Sequence, residues 1–484
     1  MKRVLRKIIT ATAWLTGGVV ALIALFFLTA PLWQQRWIEP RPFADLSPSA
    51  PPLTEGEVKP GDAYALLRQA AELYQKNSAA LNWEQNRSLL AEKIQLKKNQ
   101  QPFTREQFPH TAAWLDLNAA ALDLTRHAAV APNQRIPTVS APLSDVTVLN
   151  ATLRLGELLE HSAAVRAADG DWRGALDDLN TGLTVNTMLT RGGLLIHARV
   201  EQHVAALMLT RLHYLTISGA TPVNLLKQEI AWLRQYENDL TPFTEILRAD
   251  YACSDTLIDQ CWNARALYPL YQMEPQIELP VNHWRVLYKS LKFITVNRLM
   301  FDVGQLLGST KPAMRANLNA FKQTTLNYFA PPYHRETLAH WQRELPPLKW
   351  HFGWFPLTYR DPLGYMFCRV NLMNGTSGVY LRRFDQQRLL RSVQISLAVS
   401  AYRQERGNPP LTLAALTPDY LPAVPRDPFD ESQPLRYQRT ADGDWFIYSV
   451  GPDQKDDAAH PTERNRCTVD ADGDLVLFSA QKNR

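Results

Sequence analysis

Four cysteines in 484 residues, none of them spaced as C-x-x-C, speak against a dithiol redox centre or a cysteine-based zinc site. The chain is equally poor in the short motifs that carry chemistry. It contains no H-E-x-x-H, no nucleophile elbow, no Walker loop and no dinucleotide-binding glycine fingerprint. An excess of positive charge is also missing. The formal charge is +5, but Lys2, Arg3, Arg6 and Lys7 supply four of those charges, so about +1 is left for everything else, which excludes a nucleic-acid-binding footprint. What charge there is lies unevenly. Residues 427–474 hold twelve acids against five bases, a field that favours cations or basic partners.

One apolar run does stand out. Residues 8–30, IITATAWLTGGVVALIALFFLTA, carry no charge, and as a helix they would span roughly 34 Å against a hydrocarbon core of about 30 Å. The basic cluster before the run predicts a cytoplasmic N-terminus, with residues 31–484 on the far side of the membrane. A cleaved signal peptide would have a shorter apolar region and a small-x-small site. Here Leu28 and Pro31 flank the candidate cut, so the expectation is an uncleaved signal-anchor. Residues 31–60 are rich in proline and read as an extended spacer.

The length implies two or three folding units. A mainly α domain is expected over 61–330. Tyr64, Leu67, Ala71 and Tyr74 recur at helical spacing after Asp62, a candidate N-cap, and Trp114, Leu117, Ala121 and Leu124 continue the style. Residues 144–217 read as three helices, with breaks at Asp169 to Asp171 and at Arg191 to Gly193. Further helices are expected at 222–239, 241–262, 284–308 and 311–328. Residues 331–375, rich in proline and aromatics, read as a connection. A long amphipathic helix then places Leu389, Val393, Leu397, Ser400 and Ala401 on one side and stops at Gly407 with Pro409 and Pro410. Beyond it the period changes to two. LRYQR, WFIYSV and LVLFSA read as strands, giving 376–484 an α+β character. Cys253 and Cys261 would lie about 12 Å apart on one unbroken helix, too far for a bridge, so either the helix breaks or a pairing such as Cys368 with Cys467 applies.

Two resemblances follow. Gly170, Trp172, Ala175, Leu176 and Leu179 resemble one tetratricopeptide-type hairpin, without the further copies a solenoid requires. The order Tyr402, Gly407, Pro409, Tyr420, Leu421, Pro425, Asp427, Pro428, Tyr437, Tyr448, Ser449, Gly451 and Asp453 resembles the C-terminal part of the major pseudopilin of type II secretion, over about 90 residues. That resemblance implies a long helix on a small antiparallel sheet. It also implies a structural calcium ion held by the Val450 carbonyl and Asp453. His460 and Thr462 stand where the family has aspartates, and Asp456 and Asp457 are the candidates to replace them. Gly17 and Gly18 lie inside the apolar run and no glutamate precedes Glu39, so the module reads as borrowed rather than as a filament subunit. The whole chain resembles bacterial envelope proteins that join a helical domain to such an end, which implies the inner membrane with the bulk of the chain periplasmic.

Other chemistry-bearing residues have plain explanations beside the functional one. His197, Glu201 and His203 could be imagined around a divalent metal, but helix-borne histidines are commonly packed or solvated. Asp250, Asp255 and Asp259 could line an acid-base cleft or simply solubilise a helix. DADGD, Asp470 to Asp474, has the look of a calcium loop but is more simply an Asp-Gly hairpin turn, as is TADGD. Trp341, Trp350 and Trp354 could line a ligand cleft or fill a core. These readings together predict a membrane-anchored envelope binding or scaffold protein with a protein partner, associated with a secretion or assembly machine. The alternative is an envelope hydrolase whose site assembles only in three dimensions.

Overall fold

The computed structural model describes residues 53–98, 101–137, 146–265, 302, 309–329, 374–440, 443–468 and 471–478. The expected membrane span at 8–30, the spacer up to residue 52, the helix at 284–308 save Asp302, the connection from 331 to 373, and Cys368 with Trp341, Trp350 and Trp354 lie outside them. Among the described residues no helix is long and apolar enough to cross a membrane. The chain is mainly helical with a small antiparallel sheet near its C-terminal end. It divides into two units: residues 47–250, 329–339 and 375–484 form the larger, and residues 1–46, 251–328 and 340–374 the smaller.

The larger unit opens with α1 (Ala63–Ala79), α2 (Trp83–Lys98), α3 (Pro109–Leu117) and α4 (Ala119–Val130). Tyr64, Leu67 and Ala71 of α1 are buried as their spacing predicts, and Tyr74 meets Trp114 edge-on at 5.5 Å. Asp62 stands at the N-cap position without capping. Its carboxylate accepts from Lys59 N at 2.9 Å and from Asn133 Nδ2 at 3.2 Å, bracing the entry to the helix instead. Between α3 and α4 the helical run is interrupted at Asn118, whose side chain donates to the Trp114 carbonyl and accepts from Asn77. That break turns Leu117 outward, against the expected pattern.

Three long helices follow where the sequence places them: α5 (Val146–Ala168), α6 (Trp172–Thr190) and α7 (Leu195–Thr216). Gly170 takes a positive φ at the first joint, and Asp171 caps α6 by accepting from Gly174 N at 2.9 Å. Ala175, Leu176 and Leu179 are buried, as the hairpin resemblance implies. The hairpin does not present a free face, however. Leu155, Leu158 and Leu159 of α5 and Val185, Met188 and Leu189 of α6 join the core formed with α1 to α4. Ala163, Ala167, Ala175, Leu179 and Leu183 join a second core with α7 and α8 (Val223–Asp239). The apolar faces of the hairpin are thus occupied by the chain itself.

That second core runs on without interruption into the C-terminal region. The helix α11 (Asn374–Arg406) contributes Leu390, Val393, Ile395, Leu397, Ala398, Val399 and Ala401, all buried. The expected apolar side is there, but burial extends around most of the helix because α7 and α8 flank it as well as the sheet. The expected boundary near residue 376 therefore separates no cores. The strands β3 (Arg436–Arg439), β4 (Trp445–Ser449) and β5 (Leu475–Phe478) pair antiparallel in the order β3-β4-β5, with Tyr437 opposite Ile447 and Ile447 opposite Leu477. A further two-stranded ribbon, β1 (Arg426–Asp427) with β2 (Asp430–Pro434), was not legible from its mostly charged residues. The TADGD hairpin between β3 and β4 is present, with Thr440 N donating to the Asp444 carbonyl at 2.8 Å.

In the smaller unit, the second half of α9 (Phe243–Ala264) packs with α10 (Lys311–Tyr328). Tyr251 meets Phe321 edge-on, Lys322 Nζ donates to the Tyr251 carbonyl at 2.6 Å, and Asp259 bridges Lys311 and Arg315. The helix α9 runs unbroken through Cys253 and Cys261, so the one-helix spacing that excludes a bridge between them applies.

The fit of α7 into the groove of α5 and α6 depends on two glycines. A Cβ on Gly156 would stand 2.8 Å from Val204 Cγ1, and one on Gly182 would stand 2.7 Å from Met208 Sδ. Val204 is β-branched and stiff, whereas the Met208 thioether can move. Overpacking costs about 1–3 kcal/mol, and Ala regains about 1 kcal/mol of helix propensity over Gly. Gly156→Ala is therefore expected to destabilise the protein measurably in urea unfolding, and Gly182→Ala to be close to neutral.

Candidate functional site

The acidic loop from Val450 to Asp474 joins two neighbouring strands, β4 and β5, and its near end is built on Asp427. This buried carboxylate accepts from Ser449 Oγ at 2.7 Å and Phe429 N at 3.0 Å through Oδ1, and from Val450 N at 3.0 Å through Oδ2. Arg436 Nη1 approaches the same Oδ2 at 3.4 Å, while its Nε donates to Asp456 Oδ2 at 2.7 Å. Burial raises the Asp427 pKa, and these hydrogen bonds and the guanidinium work against that rise. Gly451, at positive φ, lets the loop ends approach: a Cβ there would lie 2.8 Å from the Gly473 carbonyl oxygen.

The four residues assigned to calcium all belong to this loop, and two of the assigned groups, the carboxylates of Asp453 and Asp456, already have partners of their own. Val450 is buried, with its N–H given to Asp427. Asp453 accepts from Lys455 N and Gly473 N, each at 3.2 Å. Asp456 is turned to Arg436 and also accepts from Ala458 N. Asp457 is half-buried, and its carbonyl accepts from His460 N. Among the described residues no three His, Cys, Asp or Glu side chains are grouped closely enough to hold a metal ion. The arrangement as it stands is a hydrogen-bonded acidic loop rather than a ready ligand cage.

Asp474, read from the sequence as part of a DADGD turn, has a different place in the fold. Asp474 N instead donates to the His460 carbonyl at 2.8 Å, and Thr462 N donates to the Asp474 carbonyl at 3.0 Å. The Asp474 side chain is fully buried; Oδ2 accepts from Ala459 N at 2.6 Å, and Oδ1 lacks a hydrogen bond of ordinary geometry. Burial first, with the charges of Asp456 and Asp457 adding to it, pushes its pKa up to about 6. Thus Asp456, Asp457 and Asp474 share one electrostatic neighbourhood, a convergence that linear spacing did not reveal.

The other candidates are consumed by the fold. His197 is buried and its Nδ1 accepts from Leu194 N at 3.0 Å, closing the first turn of its own helix. Glu201 is buried against Gln386 Nε2 at 2.5 Å and Arg383 at 3.8 Å, while His203 is exposed. The three do not converge on a metal. Asp250 accepts from Leu195 N at 3.0 Å. A buried histidine not singled out from the sequence, His213, joins α7 to Ser396 of α11 (2.7 Å) and to the Phe478 carbonyl of β5 (2.8 Å). Burial brings both His197 and His213 down to about 4. Each then refuses in the folded state a proton that the unfolded chain accepts below its ordinary 6.5, so its contribution to stability is lost as pH falls from 6.5 toward 4.

One hollow of about 150 Å³ is bordered by Arg403, Gln404, Asp444 and Trp445. Another, of about 240 Å³, is lined by Leu81, Leu89, Trp114 and Leu117 with Gln85 and His110. No family model, curated protein or solved structure matches the chain.

Glu229 on α8 supplies a test of the buried polar network. It is buried against Asn180 of α6, which donates to Oε2 at 3.0 Å, while Glu229 Oε1 and Asn180 Oδ1 both lack a hydrogen bond. A protonated carboxyl satisfies both oxygens, and burial lifts its pKa from 4.5 up to about 8. The folded chain then holds a proton that the unfolded chain releases above 4.5, so stability is full below that pH and lost as pH rises through 8. Glu229→Gln keeps the pairing and removes the proton. Its urea midpoint should match the parent at pH 4 and exceed it at pH 7 by the equivalent of about 2–3 kcal/mol.

Proposed function

We propose that the protein is a single-pass envelope protein of the bacterial inner membrane, anchored through residues 8–30, with its N-terminus cytoplasmic and its bulk periplasmic. It acts as a binding or scaffold protein for a protein partner within a secretion or assembly machine. The charge-free apolar run behind a basic cluster supports the anchor. What carries binding over hydrolysis is the fate of the titratable groups. Among the described residues, Glu201, Glu229, His197, His213 and Asp178 are buried, and their hydrogen bonds are made within the fold, His197 to its own helix and the others to neighbouring elements. They do not face a shared cleft.

The acidic loop belongs to this reading as a structural calcium site that holds the β4–β5 connection. Its support is the crowding of Asp456 and Asp457 about buried Asp474, a local excess of negative charge that a divalent cation would relieve. Arg436 already neutralises Asp456, so an ion has to compete with that guanidinium.

Two measurements test the reading. Mild crosslinking of intact membranes followed by purification should recover a discrete partner protein with the full chain; recovery of the chain alone, in the soluble fraction, contradicts both anchor and scaffold. For the ion, thermal melts with calcium and with chelator should differ by the equivalent of about 2.7 kcal/mol at 100 times the dissociation constant. Superimposable melts at saturating calcium remove the ion.

A further inference from the structure

The helix α2 carries two apolar stripes where a surface helix of a folded domain needs one. The inner stripe, Leu89 and Leu96, is buried in the core with Trp114 and Leu115. The outer stripe is Trp83, Leu90 and Ile94, which are 78%, 59% and 52% exposed. Their spacings of seven and four residues return to the same side of a helix at 3.6 residues per turn, so the three positions fall within an arc of about 40°. Single exposed apolar residues are ordinary, but an aligned row ending in tryptophan is not.

The charges on α2 are sorted to match. Arg87 is exposed and lies about 40° from the centre of the outer row. Glu92 lies on the opposite side, where it accepts from His110 N at 3.1 Å and Thr111 N at 2.7 Å at the start of α3. Glu84, the other acid of the helix, falls about 100° from the row. An aromatic and aliphatic row with an exposed arginine beside it and acids held away from it has the chemistry of a helix lying in a bilayer interface.

The chain length makes that surface available. Between residue 30 and Leu53, the first described residue, the polypeptide reaches at most about 80 Å when fully extended at 3.3–3.6 Å per residue. A domain on such a tether remains beside the leaflet from which it emerges.

We propose that the outer face of α2 rests on an anionic phospholipid surface, with Trp83, Leu90 and Ile94 entering the boundary between headgroups and acyl chains and Arg87 meeting lipid phosphates. This rests on the anchored, periplasmic reading above and adds a second membrane contact to it. The test uses the full-length chain in vesicles of phosphatidylethanolamine and phosphatidylglycerol. A photo-reactive residue replaces Leu90 or, as a control, Leu411, which is even more exposed, at 80%, but has no bases beside it. Adducts are scored before the vesicles are washed in alkaline carbonate. Expected is a lipid adduct at position 90 several-fold above that at 411, reduced when phosphatidylcholine replaces the anionic lipid. Equal lipid labelling at the two positions, a protein adduct at position 90, or no adduct overturns the proposal. The wash reports on the anchor separately. Release of the chain with the position-90 lipid adduct intact sinks the transmembrane reading and leaves the α2 contact standing. Because a substituted position 90 could disturb α2, Ile94 labelled in the same way must give the same partner.

Discussion

Burial of α11 on several sides is the constraint from which the larger unit follows. A helix covered on one face can leave its polar residues in water, but α11 lies among α7, α8 and the sheet, so each polar side chain that faces them needs an internal partner. Gln386 meets Glu201, Ser396 meets His213, and Arg391 with Gln394 grips Glu237. Arg391 also reaches Glu431 on β2. These pairings set the axial position of the helix against both neighbours, because sliding it by a turn would leave several buried polar groups unpaired. They also explain why the helical region and the sheet share one core.

The same logic governs the acidic loop. Asp427 ties the β1–β2 ribbon to the end of β4, and Arg436 carries that link outward to Asp456. Residues that carry the pseudopilin resemblance, Asp427, Ser449 and Gly451, therefore have a mechanical role that holds with or without an ion: a carboxylate, a hydroxyl and a glycine fold one tight loop start. In contrast, the negative charge beyond it is only partly neutralised by protein groups. Burial is the main reason the Asp474 pKa is raised, and the charges of Asp456 and Asp457 add to it.

Much of the helical architecture was legible locally. The ends of α5, α6 and α7 follow from Gly170, Asp171 and the Arg191 to Gly193 break, because capping and positive-φ preferences act over three or four residues. The three main strands announced themselves by period-two alternation. The β1–β2 ribbon did not, since exposed charged residues carry no such pattern. Asn118 was missed for a related reason: its break depends on Asn77, forty-one residues earlier in the chain.

The sequence by itself determined the order of helices and strands, the separation of a charge-free run from the rest, and the acidity of the last loop, because each depends on neighbours a few residues apart or on composition alone. Tertiary structure decided which side chains have partners. His197, Glu201 and Asp250 passed from candidate ligands or acids to internal braces, and Asp474 from a turn residue to a buried carboxylate. The reason is physical: a polar group's chemistry is set by its desolvation and by the donors or charges within a few ångströms, and both are supplied by segments remote in the chain.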